Sequence, residues 1–208
     1  MKTVPGGLLV VLDGIDGVGK TTQLELLRDK LQAERWAVET SRNLGGTPIG
    51  EALREVIKSH AERPPLTDVY ISAAIQEALI DEINAKRKSG AIILMDRSPL
   101  SLAAYEMYGS KVAEDLVWQH VERGMIGLKP DLAIIYEADV ETALRRAHQA
   151  SEKADYFESK PLEYFQKVAH GYKQCAIRLE GITVIDANRP IEAIADDTYV
   201  FVQELLPK

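Results

Sequence analysis

Eight consecutive residues, Gly14-Ile15-Asp16-Gly17-Val18-Gly19-Lys20-Thr21, constrain this chain more than any other feature. They fill G-x-x-x-x-G-K-[ST] at each fixed position. An apolar run, Leu8–Asp13, precedes them and an amphipathic run starts near Thr21, which is the strand–loop–helix context the motif needs. Glycines let the backbone curl so that successive N–H groups point inward at phosphate oxygens. The following helix N-terminus adds partial positive charge. Gly14 to Thr22 is therefore expected to cradle a nucleoside triphosphate, with Lys20 bridging its outer phosphates and the Thr21 hydroxyl as a Mg²⁺ ligand.

The rest of the chain suits such a loop. Short apolar runs at Leu8–Asp13, Trp36–Thr40, Ala91–Met95, Leu132–Tyr136 and Ile182–Ile185 read as strands. Between them, helices are expected over Thr21–Ala33, Ile49–Ser59, Asp68–Lys88, Leu100–Met107, Lys111–Arg123, Val140–Ala150, Pro161–Arg178 and Ile191–Leu206. The alternation predicts repeated βαβ units in one α/β domain, with a parallel sheet covered on both faces. Thr67 is read as the N-cap of the third helix, Gly90 as its end and Pro161 as a helix start. The polar stretch Gln149–Lys160 reads either as a solvated loop or as a lid.

Composition narrows the function classes. With 25 Lys+Arg against 32 Asp+Glu, the formal charge is −7, which disfavours nucleic acid or an anionic membrane as a general partner. A single cysteine, Cys175, excludes an internal disulfide and a four-cysteine zinc site; a reducing cytoplasm is expected. His60, His120, His148 and His170 lack metal-ligand spacing, and the Asp196-Asp197 pair reads as a solvated helix face. No Asn-Lys pair exists for a guanine-reading N-K-x-D, and the chain is short for a motor ATPase. A small-molecule kinase remains. Phosphoryl transfer then calls for cations at strand ends beside the loop. The run Ala91-Ile92-Ile93-Leu94-Met95 ends in Asp96, a second candidate for holding Mg²⁺, and in Arg97, whose rigid donor fork suits phosphate. Arg42, at the end of another strand, is the candidate for the acceptor's phosphate.

Several segments in order resemble the thymidylate kinase family: Gly14–Gln23, Gly45-Gly46-Thr47-Pro48-Ile49-Gly50-Glu51, Asp96-Arg97 with Ser101 and Ala104-Tyr105, Pro130-Asp131-Leu132, Asp155-Tyr156-Phe157-Glu158, and Val184-Ile185-Asp186-Ala187. The resemblance runs from about residue 8 to 190. It implies transfer of the ATP γ-phosphate to deoxythymidine monophosphate, a three-layer P-loop fold with a five-stranded parallel sheet, a short lid and a homodimer. Asp16 would contact the acceptor sugar, Arg42 and Arg97 would clamp its phosphate, and Tyr105 would pack on the deoxyribose. Gly17 would leave the catalytic cation to the lid region, with Arg146 first and Arg145, His148 and Lys153 behind it.

Departures from the family pattern gather in the acceptor pocket. Arg42-Asn43-Leu44-Gly45-Gly46-Thr47 stands for R-E-P-G-G-T, and Ser72-Ala73-Ala74-Ile75-Gln76 for F-A-A-D-R. Ser72 cannot stack on a base, whereas the Gln76 amide can still donate to a carbonyl. Ser98 replaces the Tyr of D-R-Y, Glu106 a common Gln, and Tyr156 a lid Arg. Two further readings stay open on these residues: a same-fold kinase with another nucleotide or deoxynucleoside acceptor, and a nucleotide-binding regulatory protein with little turnover.

Overall fold

The structure is a computed structural model that describes residues 1–150, 156–157 and 159–207. Five parallel strands form a single sheet: β1 (Leu8–Asp13), β2 (Val38–Arg42), β3 (Ile92–Asp96), β4 (Leu132–Glu137) and β5 (Ile182–Asp186), in the order β2-β3-β1-β4-β5. β1 is buried along its whole length, as an apolar strand covered on both faces must be. Around the sheet lie α1 (Lys20–Ala33), α2 (Pro48–Lys58), α3 (Pro65–Arg87), α4 (Leu100–Leu102, continuing as a π-helix over Ala103–Gly109), α5 (Glu114–Leu128), α6 (Val140–Ala150), α7 (Leu162–Arg178) and α8 (Ile191–Gln203). One apolar cluster packs α1, α4, α5, α7 and α8 against the sheet, and a second packs α3 on the strand faces of Leu9, Val11, Ile93 and Met95. The three-layer parallel α/β architecture expected from the sequence is the one formed.

Element ends differ from the sequence reading for local reasons. β2 lies two residues later than expected, because its ladder pairs Val38 with Ile92 and Arg42 with Asp96, while Trp36 makes an isolated bridge to Lys2. Thr67 does not cap α3. The helix starts at Pro65, where proline's fixed φ is already helical and its missing N–H goes unneeded, and Thr67 N donates to Pro64 O at 2.9 Å. α5 starts three residues late, since Lys111 turns at φ +61° and Val112 N returns to Glu106 O. It then runs past Arg123 through Gly124 and Gly127, which let α3 approach. A Cβ on Gly124 would meet the Gln76 side chain at 2.2 Å.

Strand order reverses direction around β1, whose neighbours are β3 and β4. In open parallel sheets the crevice beyond the carboxyl ends of the strands at such a point is where ligands bind. β1, β2, β3 and β5 all end there, in Asp13, Arg42, Asp96 and Asp186.

Candidate functional site

A cleft of about 640 Å³ opens at this end of the sheet. Its lining includes Asp16 to Gln23, Ser72, Gln76, Asp96, Arg97, Tyr105, Glu106 and Arg146. Most of the residues chosen from sequence therefore meet in one place.

The loop Gly14–Gly19 leaves β1 and delivers Lys20 to the first turn of α1. Gly17 turns at φ +80°, and a Cβ there would sit 1.8 Å from Ala143 O. Only glycine lets α6 lie this close, and that approach brings Arg146 into the cleft wall. The Lys20 ammonium is turned into the loop, donating to Gly14 O at 3.0 Å and Ile15 O at 2.9 Å. Burial, and then the Arg97 charge, lower its pKa, while Asp16, Asp96 and Asp13 pull the other way.

Asp16 and Arg97 form an ion pair at the cleft's centre. The Tyr105 hydroxyl donates to Asp16 Oδ2 at 2.9 Å and accepts from Arg97 Nη2 at 3.3 Å. Burial alone would raise the Asp16 pKa, but Arg97 and Lys20 outweigh it and hold it at about 2. Burial likewise opposes the Arg97 charge, yet Asp16 and its neighbours raise its pKa well above the ordinary value. Both groups stay ionised across the physiological range.

Asp96 ends β3 beside α1. The Thr21 hydroxyl donates to Asp96 Oδ2 at 3.4 Å, and the buried Asp96 Oδ1 has no hydrogen-bond partner among the described residues. Among the described residues no three His, Cys, Asp or Glu gather as a self-contained metal site.

The acceptor side differs from the sequence reading in two places. Arg42 is absent from the cleft lining; its guanidinium is paired with Glu51, which also accepts from Gly46 N at 2.8 Å. Arg54 of α2 lies in the lining instead, donating to Leu44 O at 2.6 Å. Its position, three residues before the buried Ile57 on the cleft face of an amphipathic helix, was the available signal. Gln76 is buried and gives one amide hydrogen to His120 O at 2.8 Å, leaving its other hydrogen and its carbonyl for the cleft. The π-helical segment is buried at Ala103, Ala104, Tyr105 and Glu106 in succession, and its Tyr105 and Glu106 both reach the cleft lining.

Glu106 was seen in sequence only as a departure. Its Oε2 is buried and has no hydrogen-bond partner among the described residues, and burial followed by the nearby Asp68 pushes the carboxyl up to about 8, against the Ser110 hydrogen bond, Lys160 and Arg63. Asp13 and Tyr172 were not read at all. Asp13 is buried and accepts from Gly14 N, Ser98 N, Ser98 Oγ, Ser101 Oγ and the Tyr172 hydroxyl, at 2.6 to 3.0 Å.

Within the expected lid, Tyr156 and Phe157 are placed: Arg63 and Lys160 lie over the Tyr156 ring, and the Phe157 ring meets Tyr105 edge-on. Lys153, Asp155 and Glu158 lie outside the described residues. Arg145 and His148 are exposed on α6, and Arg145 holds the Thr142 hydroxyl at 3.2 Å.

The thymidylate kinase family model matches residues 12–198. A thymidylate kinase of Pelotomaculum thermopropionicum is 30% identical over 204 residues, spanning 96% of this chain and 94% of its own. One of Methylococcus capsulatus is 32% identical over 202 residues, spanning 96% and 97%. One of an Exiguobacterium species is 31% identical over 204 residues, spanning 96% of each. With the phosphate loop and the Asp96-Arg97 step set around one cleft, and with matches across nearly its whole length, this chain belongs to the thymidylate kinase family.

Proposed function

We propose that this chain, acting as one P-loop kinase domain, transfers the γ-phosphoryl group of ATP to deoxythymidine monophosphate and releases the diphosphate and ADP. The observation that carries the reading is the convergence of Lys20, Arg97 and Asp16 in a single cleft at the carboxyl ends of β1 and β3.

ATP would lie along Gly14 to Thr22. Lys20 would exchange its two loop carbonyls for phosphate oxygens, a trade of neutral acceptors for charged ones that strengthens each bond. Arg97, held ionised, would bind the acceptor phosphate on the side facing the γ-phosphate. Asp16 would accept from the sugar hydroxyl, and the Tyr105 ring would pack beneath the sugar. Arg146 would add positive charge from α6. Arg42 would act at one remove, tying Glu51 and thereby the Gly45-Gly46 turn, while Arg54 takes the phosphate-facing place first assigned to Arg42. Ser72 and Gln76 would line the base. A general base is unnecessary, because the attacking oxygen already carries charge.

The unpartnered Asp96 Oδ1 beside the Thr21 hydroxyl suits a hard cation with oxygen ligands. Thr21 and Asp96 would hold Mg²⁺ there, with phosphate oxygens completing its shell. Bound there, the ion would neutralise charge on the transferring group.

The reading extends to a homodimer working in the cytoplasm on free nucleotides. Exposed Ile49, Val56 and Tyr70 on α2 and α3 supply apolar surface for a second copy, and the acidic balance disfavours nucleic acid. No helix of the described residues is long and apolar enough to cross a membrane.

A coupled ADP-release assay across deoxynucleosides and their monophosphates tests the activity. Turnover of dTMP should exceed that of the other acceptors by orders of magnitude, and Lys20→Ala should abolish it. Equal rates on a bare nucleoside, or an active Lys20→Ala variant, would overturn the reading. Sedimentation velocity reads the dimer separately.

A further inference from the structure

The kinase reading above asks Arg97 to meet the acceptor phosphate, and the backbone makes that demanding. Arg97 sits at φ +68° directly after β3. A residue with a side chain keeps such a conformation only where its surroundings enforce it. Its guanidinium has two separate sets of holders. Nη2 is taken by Asp16 and the Tyr105 hydroxyl, both in the cleft lining. Nη1 points away from them, toward Ser101 Oγ at 3.4 Å and the Tyr172 hydroxyl at 3.3 Å.

We propose that Tyr172 of α7 is a positioning residue for phosphoryl transfer: anchored on Asp13, its hydroxyl fixes the direction of the Arg97 guanidinium without touching substrate. Tyr172 is fully buried and is absent from the cleft lining. Its one hydroxyl proton goes to Asp13 Oδ1 at 2.7 Å. With that proton committed, only lone pairs remain to face Arg97 Nη1. Ser101 Oγ, 2.8 Å from the Tyr172 hydroxyl, donates to the same Asp13 oxygen and closes the group.

Asp13 grips Arg97 from both ends. Its Oδ2 accepts from Ser98 N at 2.9 Å and Ser98 Oγ at 2.6 Å, which pins the residue following Arg97. Its Oδ1 holds the tyrosine that meets the guanidinium. Arg97 N donates to Leu12 O at 2.8 Å, so the left-handed turn is braced on β1 as well. Burial and the Asp13 charge keep the Tyr172 phenol from ionising, against the pull of Arg97, so this arrangement does not change with pH in the working range. Without the hydroxyl, Nη1 would keep only Ser101 and a 3.5 Å contact to Gly14 O. The guanidinium could then swing about its bond to Asp16.

Tyr172→Phe keeps the ring, its edge-on contact with Tyr105 and the packing of α7, and removes only the oxygen. Four quantities of the full-length variant decide the matter: kcat and KM for dTMP at saturating ATP, the Kd of a non-hydrolysable ATP analogue, and Tm. The expected result is a kcat/KM for dTMP lowered about tenfold or more, since small misplacements of a reacting group cost rate steeply, with the analogue's Kd changed by no more than about twofold. A variant that loses only Tm and keeps the wild-type kcat/KM would show a structural tyrosine and overturn the proposal; so would equal weakening for both nucleotides. If the variant fails to fold, Ser101→Ala removes the other hydroxyl between Asp13 and Nη1 and carries the test: an unchanged kcat/KM overturns the proposal, and a smaller fall in the same constant supports it. A wild-type chain that turns over no dTMP would instead sink the kinase reading, and this inference with it.

Discussion

Two carboxyl groups in the cleft wall show how far the surroundings set a residue's behaviour. Asp16 is held at about 2 and Glu106 is pushed up to about 8. Burial acts on both in the same direction; the difference is that Asp16 faces Arg97 and Lys20, whereas Glu106 faces Asp68. The two signs of linkage follow. Protonated Glu106 favours the fold, so its contribution is complete below its ordinary 4.5 and is lost as pH rises to about 8. Ionised Asp16 favours the fold above its ordinary 3.8, and that contribution is lost as pH falls toward 2. Urea midpoints measured from about pH 5 to 8.5 should decline in the wild type and decline less in Glu106→Gln, which keeps the volume and removes the ionisation. Equal slopes in the two proteins would show that Glu106 does not titrate in this window. At this scale the sequence was informative about residue type and silent about partners. Arg42 looked free to bind phosphate because Glu51, nine residues on, faces it only once α2 has packed.

Among the elements, the loop between β1 and α1 was legible in full, because its glycine spacing encodes backbone conformation directly. Gly17 adds a contact the motif does not describe, the approach of α6. Gly17→Ala should strain the loop and displace Ala143, lowering kcat about a hundredfold and Tm by several degrees for a loss of ~2 kcal/mol; a variant with wild-type rate would mean that α6 and Arg146 stand apart from catalysis. Gly124 and Gly127 invert the usual reading of glycine as a helix end. They sit inside α5 because Gln76 and Ile80 of α3 occupy the space a Cβ would need. Gly124→Ala should cost ~1–3 kcal/mol by overpacking, read as a shifted urea midpoint at constant m-value. The π-turn of α4 was not legible, since its extra residue shows as a break in periodicity only when the neighbouring helices are known.

For the whole molecule, the −7 surface and the cationic cleft are separate facts. Six of the 25 basic residues line the cleft: Lys20, Arg54, Lys58, Arg97, Arg146 and Arg189 are gathered by strand ends and helices far apart in sequence. Binding of an ATP analogue at about 100 times its Kd should raise folding stability by ~2.7 kcal/mol, and Lys20→Ala should lose most of that gain; an undiminished gain would place the phosphates elsewhere. The sequence by itself determined the fold class and the phosphate loop, because strand burial, helix amphipathicity and glycine conformation are local properties. Only the tertiary structure decided that Tyr172 and Asp13, 159 residues apart, frame Arg97, that Arg54 and not Arg42 enters the cleft, and that burial pushes the Glu106 carboxyl up to about 8. Each of those depends on distances and on dielectric surroundings, which exist only after the chain has folded.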